Sequence, residues 1–144
     1  MPLLTEVKMA YSKDTDLLDY QPDILSLGID IFVNEHEKAK DDIIRELRAK
    51  WWNKRNTGDE FDPELLNGGQ FKVASVYLVL WKYALPQLTN WVDGDRFLEM
   101  IKFYKSRYGE EMADIIASGV EYDKDGNGTV EKDEIVPATT RLRR

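Results

Sequence analysis

The chain of 144 residues contains no cysteine and only one histidine, His36. Without cysteine it has no disulfides, no thiolate nucleophile and no thiolate metal ligand. With no second histidine and no cysteine, we expect neither a catalytic metal centre nor a catalytic triad. No Gly-rich phosphate loop or nucleophile elbow is present either. We therefore expect no enzyme, and we expect His36 to be a satisfied position on a helix face.

Long apolar runs are also missing. The longest, Val76 to Trp81, is less than half of the roughly 18 residues that a membrane helix needs. The first nine residues are interrupted by Glu6 and Lys8 and do not resemble a signal peptide. The sequence therefore predicts a soluble protein that does not contact a membrane, and the lack of cysteine fits folding without an oxidising compartment.

Basic charge is in deficit, with 20 Lys and Arg against 27 Asp and Glu and a net charge of −7. Because phosphate binding needs a basic surface, we do not expect the chain as a whole to bind nucleic acid. The sequence does supply a core, with 4 Trp, 7 Tyr and 5 Phe. This size and composition are typical of one domain.

Hydrophobic periodicity predicts three long helices. The first runs from Pro22 to about Trp52. The second, Gln70 to Leu85, is apolar almost all round and is expected at the centre of the domain, where Pro86 ends it. The third, Asp95 to Ser118, ends at Gly119 as C-cap. The apolar positions of the first helix recur every three or four residues: Leu25, Ile29, Phe32, His36, Ala39, Ile43 and Leu47.

Shorter signals complete the predicted layout. Asp16 to Tyr20 suggests one helical turn, Asp62 is a candidate N-cap before Pro63, and Asn67 to Gly69 is expected to interrupt the helix there. Asp41 and Asp42 are assigned to a solvated face. We predict a mainly α fold, a bundle of three long helices plus short helices with a small C-terminal β-hairpin or calcium-loop-like turn. Its divisions are an N-terminal arm (1–15), the bundle (16–119) and an acidic hairpin or loop with a basic tail (120–144).

The sharpest local motif runs from Asp123 to Glu134. Calcium takes several hard oxygen ligands, and the EF-hand supplies them at fixed offsets of a loop of about twelve residues. Gly128 stands where such a loop must turn sharply. The candidate metal ligands are Asp123, Asp125, Asn127, Thr129, Glu131 and Glu134. Ca²⁺ is thus the one cofactor that the sequence suggests, and none is required.

The flanks of this loop depart from the EF-hand pattern. Gly119 falls where the entering helix should be continuous, and Pro137 limits the exiting one. The alternative is a β-hairpin between Val120–Asp123 and Thr129–Glu131, which alternate in the manner of strands. The two readings are compatible, because a tight acidic turn can hold a cation weakly.

Aromatic and basic residues meet at Lys50-Trp-Trp-Asn-Lys-Arg55. This cluster is typical of a helix end, with basic residues complementing the dipole and one Trp closing the core. The other Trp is then a candidate subunit contact. The basic tail is either a loose end or an arm that docks on an acidic neighbour. The candidate interface residues are Trp51, Trp52, Trp91, Arg141, Arg143 and Arg144.

The order of elements resembles the head-to-tail adaptor proteins of tailed bacteriophages, also called connector, neck or head-completion proteins. The resemblance lies in Asp16-Leu-Leu-Asp-Tyr-Gln-Pro-Asp-Ile before a long helix and in Gln70-Phe-Lys-Val-Ala-Ser-Val-Tyr within Leu66–Pro86. It continues in Phe103-Tyr-Lys-Ser-Arg-Tyr-Gly-Glu-Glu and in Gly119-Val-Glu-Tyr-Asp with its acidic turn. None of these segments is a catalytic signature.

This resemblance implies a viral structural protein of the virion neck. Its subunits would form a homo-oligomeric ring, often of about twelve copies. The ring would bind the portal protein, extend the DNA channel and receive the next neck or tail protein, with DNA only passing through. The alternative function is that of a calcium-binding protein with a single EF-hand-like loop.

Overall fold

The computed structural model describes residues 10–53, 60–89 and 95–122, and the backbone of residues 135–136. This part of the chain is mostly helical, which confirms the mainly α class. The α-helices are α1 (Asp14–Leu17), α2 (Val33–Leu47), α3 (Lys72–Leu78) and α4 (Arg96–Ser118). Single 3₁₀ turns occupy Ile24–Ser26, Pro63–Leu65, Gly68–Phe71 and Leu85–Gln87, and two short strands are β1 (Val120–Glu121) and β2 (Ile135–Val136). No helix in the described ranges is both long and apolar enough to span a membrane.

Helix α2 begins at Val33, so the prediction that it starts at Pro22 is wrong. Gly28 has a φ of 120°, a conformation that breaks a right-handed helix. The backbone N–H of Phe32 donates to the carboxylate of Asp14 at 3.2 Å, which satisfies one of the free donors at the helix start. From that residue onward the buried face follows the predicted spacing: Phe32, His36, Ala39, Ile43 and Leu47.

Beyond α2 the chain continues as a π-helical turn, Arg48–Trp52. The N–H of Asn53 donates to the carbonyl of Arg48, five residues back. Each such turn takes in one more residue than an α-helical turn. Trp52 therefore comes round to the side of the helix that already buries Leu47 and Trp51.

The central segment is helical from Gly68 to Gln87, with α3 preceded by a 3₁₀ turn and extended by a π-helical stretch, Val79–Ala84. The side chain of Asn67 accepts from the N–H of Gly69 at 3.2 Å. The short helical turn at Pro63–Leu65 has ended before the two glycines, as predicted, and the glycines begin the central helix two residues before the expected start at Gln70. The expected burial is confirmed, and the buried positions are Phe71, Ala74, Ser75, Val76, Leu78, Val79, Leu80, Ala84 and Leu85.

Helix α4 has the predicted ends. The side chain of Asp95 accepts from the N–H of Phe97 at 2.9 Å as N-cap, and Gly119 follows the last turn with a φ of 122°. The other predicted cap is confirmed as well, since Asp62 accepts from the N–H of Glu64 at 3.1 Å. Helix α4 packs against the central helix through Tyr104, Tyr108, Met112 and Ile115.

Strand β1 pairs with a different segment from the one predicted for the C-terminal hairpin. Val120 pairs with Val136 and Glu121 with Ile135 in an antiparallel ladder. Residues 123–134, including the predicted partner strand Thr129–Glu131, lie outside the described residues. Strand β1 is also fixed to the central helix, because Gln70 donates to the carbonyl of Gly119 and accepts from the N–H of Glu121, each at 2.9 Å.

Candidate functional site

Trp51 and Trp52 lie inside the chain's own core. Trp51 is fully buried and Trp52 is 9% exposed. The Trp52 ring stacks on Phe61 with centroids 5.1 Å apart, and the Trp51 ring meets Tyr122 edge-on at 5.6 Å. The prediction that one of these tryptophans forms a subunit contact is therefore wrong for this conformation. The physical reason is the π-helical turn, which brings Trp52 to the side of the helix where Trp51 is already buried.

The remaining predicted site residues lie outside the described part of the chain. These are Trp91, the six candidate calcium ligands (Asp123, Asp125, Asn127, Thr129, Glu131 and Glu134) and the tail arginines Arg141, Arg143 and Arg144. Within the described residues, no group of three or more His, Asp or Glu is arranged to hold a metal ion.

A buried polar cluster joins the N-terminal segment to two helices. Ser12 Oγ lies 2.6 Å from Nδ1 of His36 on α2 and 2.6 Å from Oγ of Ser75 on α3. Nε2 of His36 lies 3.1 Å from Oδ1 of Asp14. Ser12 is 5% exposed and His36 2%. The expectation of a satisfied histidine is confirmed, while the predicted arm boundary at residue 15 falls inside α1.

The partners of His36 fix its tautomer. A carboxylate only accepts, so Nε2 carries the proton and donates to Asp14, and Nδ1 accepts from the Ser12 hydroxyl. Ser12 in turn accepts from Ser75. Burial lowers the pKa of His36 below its ordinary value, and it outweighs Asp14, Asp16 and Glu35, whose negative charges act in the opposite direction.

The cluster contains the three groups of a serine hydrolase triad, and its geometry favours a structural role. A nucleophilic serine must be reached by its substrate, whereas Ser12 is only 5% exposed and its hydroxyl is hydrogen-bonded to both His36 and Ser75. The cluster instead satisfies every polar side chain that it buries, which is the condition for keeping such groups inside a core. We interpret it as the anchor that holds residues 12–14 on α2 and α3.

An open cleft of about 500 Å³ lies beside this anchor. The start of α2 forms one wall with Val33 and Glu37, and Lys72 of α3 forms another. Lys72 pairs with Asp16 at 3.4 Å. The rest of the lining comes from residues 10–16 and His36: Ala10, Tyr11, Ser12, Lys13, Asp14, Thr15, Asp16 and His36. A cleft of this size accommodates a small ligand or the side chains of a partner.

Two carboxylates of α2 bind tyrosines of the other helices. Asp42 accepts from the hydroxyl of Tyr83 and from Lys82 and Arg45, and Glu46 accepts from the hydroxyl of Tyr108 at 2.6 Å. Burial works against ionisation of Asp42, yet these donors outweigh it and hold its pKa below the ordinary value. The assignment of Asp42 to a solvated face is therefore wrong, because its side chain is only 12% exposed.

Three large apolar side chains are exposed on the described surface: Ile31 at 60%, Val33 at 49% and Phe103 at 52%. Ile31 and Val33 flank the buried Phe32 at the start of α2. Phe103 lies in the middle of α4, where the guanidinium of Arg107 stands 5.2 Å from its ring centroid. The sequence analysis did not identify Ile31 and Val33 as exposed apolar residues. The reason is that a helix starting at Pro22 would place both of them in its middle turns and not at its start.

Sequence reasoning also missed the Ser12 cluster, and no motif could have revealed it, because its members are 24 and 63 residues apart. No protein-family model, curated protein or solved structure matches this chain. An inference about function therefore depends on its own residues and contacts.

Proposed function

We propose that this chain is a structural subunit of a phage head-to-tail connector ring. In this role it docks on the portal, extends the DNA channel and receives the next neck or tail protein. The observation that carries the proposal is the sequence resemblance, whose segments fall on packed elements of the chain. Gln70–Tyr77 lies in the central helix, and Phe103–Glu111 lies on α4.

The exposed apolar side chains support the same proposal. A subunit that assembles needs apolar surface left over after its own core is complete. Here the aromatic cluster around Trp51 is closed within the chain, while Ile31, Val33 and Phe103 remain exposed. These residues, and no longer Trp51 or Trp52, are the candidates for contact with neighbouring subunits. Trp91 and the tail arginines remain candidates from the sequence.

The acidic balance of the chain fits a channel for DNA. A negative lumen repels phosphates and lets the duplex slide without sticking. The proposal therefore includes a lumen lined mainly by acidic residues. A ring seen by cryo-electron microscopy with Lys and Arg lining its lumen would contradict this part of it.

Mass photometry of the purified protein, alone and mixed with portal rings, tests the proposed function. We expect a stoichiometric ring complex with the portal that forms equally in EDTA and in calcium. No turnover of any substrate is expected. A chain that stays monomeric with and without portal would overturn the proposal.

The alternative function is calcium binding by Asp123–Glu134. Its support is the sequence pattern together with the pairing of β1 and β2, in which Glu121, before this segment, lies opposite Ile135, after it. The segment before the loop is a strand that follows Gly119, whereas an EF-hand sensor needs a helix there to reorient. A bound ion would thus stabilise a local turn.

Calorimetric titration with calcium tests this alternative. Binding heat is expected for the wild type, with loss on Asp123→Ala, a ligand position, and retention on Asp133→Ala, an acidic residue between ligand positions. Absence of heat at millimolar calcium, or equal heats for the two variants, would remove it.

A further inference from the structure

One exposed apolar region lies in a stretch of the chain that is rich in acidic residues. Residues 13–37 contain seven Asp and Glu against one basic residue, Lys13. Within this stretch Ile31 and Val33 are exposed, and Val33 and Glu37 border the cleft beside the N-terminal anchor. We call Asp30, Ile31, Val33 and Glu37, with the cleft, the acidic patch. Its rim carries Asp14 and Asp16 beside Lys13 and Lys72, with the Asp16–Lys72 pair at 3.4 Å.

A second exposed apolar side chain lies in a stretch of the chain that is rich in basic residues. Residues 96–107 contain four Lys and Arg against one acidic residue, Glu99. Phe103 stands among them, 52% exposed, with the guanidinium of Arg107 against its ring. We call Lys102, Phe103 and Arg107 the basic patch. Arg107 also lies 3.6 Å from Glu110, but both side chains are more than half exposed, so this pair is weak and exchangeable.

We propose that the basic patch of one copy of this chain docks on the acidic patch of the next copy. Phe103 enters the cleft beside Val33, and Arg107 and Lys102 face the carboxylates of Glu37 and Asp30. The occupant is a second copy of this chain because the two patches are opposite in charge and each exposes apolar surface. This inference rests on the proposed function and names the contact through which the ring closes.

The contact is heterologous, since it joins two different patches. A contact of one patch with itself would give a two-fold dimer and would bring like charges together. A contact between different patches leaves one free patch of each kind on every pair. Copies therefore add in sequence, and they form a ring where the rotation between neighbours closes and an open filament where it does not. A subunit that forms a ring requires a heterologous contact of this kind.

Patch variants that cannot close the contact test the proposal. Val33→Asp replaces the apolar surface that Phe103 contacts by a carboxylate, which is costly to bury against its ring, and the fold tolerates it because a negative charge at a helix start is favourable. Phe103→Asp blocks the basic patch at an exposed position of α4. Matched controls add the same charge to exposed positions elsewhere on the two helical segments: Ala49→Asp and Ala113→Asp. Circular dichroism and thermal unfolding establish that each variant is folded.

The expected results follow from the head-to-tail geometry. Each blocked variant alone is monomeric by analytical ultracentrifugation and forms no ring on portal, while the controls assemble like the wild type. Mixing Val33→Asp with Phe103→Asp gives a one-to-one dimer that grows no further, because the contact uses the one intact patch of each kind and leaves only the two blocked patches. In the same way, Arg107→Glu weakens assembly at least tenfold, and the double variant Glu37→Arg/Arg107→Glu restores it.

Failure of the contact is distinguishable from failure of the proposed function. Rings that form on portal but are unaffected by Val33→Asp and Phe103→Asp would overturn the contact alone. Blocked variants that do not complement each other in the mixture would likewise overturn a head-to-tail contact. A folded wild type that forms no ring with portal would overturn the function, and the contact with it.

Discussion

The hydroxyl oxygen of Ser12 lies 2.6 Å from Nδ1 of His36, and the two residues are 24 positions apart in the chain. Through this contact and the bond to Ser75, the N-terminal segment is held against both α2 and the central helix. The same segment forms one wall of the cleft. The anchor therefore determines the shape of the surface that we propose as the acidic patch.

Lowering the pH is expected to destabilise the protein through His36. Its pKa in the folded chain lies below the ordinary value of 6.5, so the folded state favours the neutral ring. This contribution to the free energy of unfolding is present above about pH 6.5 and is lost as the pH falls further, because the unfolded chain then binds a proton more readily. Urea unfolding at about pH 7.5 and about pH 5.5 measures the loss.

The control for this prediction is His36→Gln, which removes the titrating group and keeps an amide in the cluster. It is expected to be less stable than the wild type by about 1–3 kcal/mol at the higher pH, since the hydroxyl and carboxylate lose well-placed partners. Its stability should fall less than that of the wild type over the same pH interval. Parallel pH dependences of the two proteins would contradict the assignment.

Two glycines are expected to respond to alanine with opposite signs. Gly109 lies inside α4, and a Cβ there meets no atom within 4 Å. Gly109→Ala should therefore raise the free energy of unfolding by about 0.5–1 kcal/mol. Gly28 has equal space but a φ of 120°, so Gly28→Ala should lower stability because the backbone is strained. Thermal unfolding of both variants checks this prediction. A Gly28→Ala variant that is more stable than the wild type would contradict the positive φ of Gly28.

Removing the ring of Trp51 is expected to cost about 3–5 kcal/mol, because the ring is fully buried among other aromatic side chains. Trp51→Ala is measured by urea unfolding followed by far-ultraviolet circular dichroism. The matched variant, Trp52→Phe, keeps an aromatic ring against Phe61 and should cost distinctly less. A Trp51→Ala variant that is as stable as the wild type but fails to assemble would contradict this prediction and would indicate that Trp51 forms a subunit contact.

The hydrogen bond between Tyr83 and Asp42 is expected to couple α2 to the central helix. Burial and the bond to Asp42 raise the pKa of Tyr83 above its ordinary value of 10. A double-mutant cycle with Tyr83→Phe and Asp42→Asn should give a coupling free energy of about 1–3 kcal/mol. The cycle is measured by urea unfolding near neutral pH. Additive effects of the two substitutions would mean that the bond contributes nothing.

Much of the helical layout could be predicted because the signals are local. Asp62 and Asp95 cap helices in the expected way, and Gly119 ends α4 at the expected residue. The apolar character of the central segment correctly predicted its burial. These features depend on neighbouring residues alone, so a single sequence contains them.

The errors arise where distant contacts or unusual turns decide the structure. The start of α2 was misplaced because the apolar spacing continues through Gly28, whose conformation is set by the fold. One of the two adjacent tryptophans was expected to be free for a subunit contact, because an ideal helical wheel does not include the π-helical turn that lets Trp52 be buried beside Trp51. Asp42 was misassigned because its partners Lys82 and Tyr83 lie on another helix.

The central position of residues 68–87 has a consequence for synthesis of the chain on the ribosome. Helix α2 emerges first, but the surface that it buries against belongs to residues that are translated later. Ser12 and His36 can meet early, whereas the bond from Ser12 to Ser75 spans 63 residues and must wait. The apolar face of α2 is therefore exposed to solvent until the central helix has left the exit tunnel. Burial of the first half of the chain depends on residues of the second half.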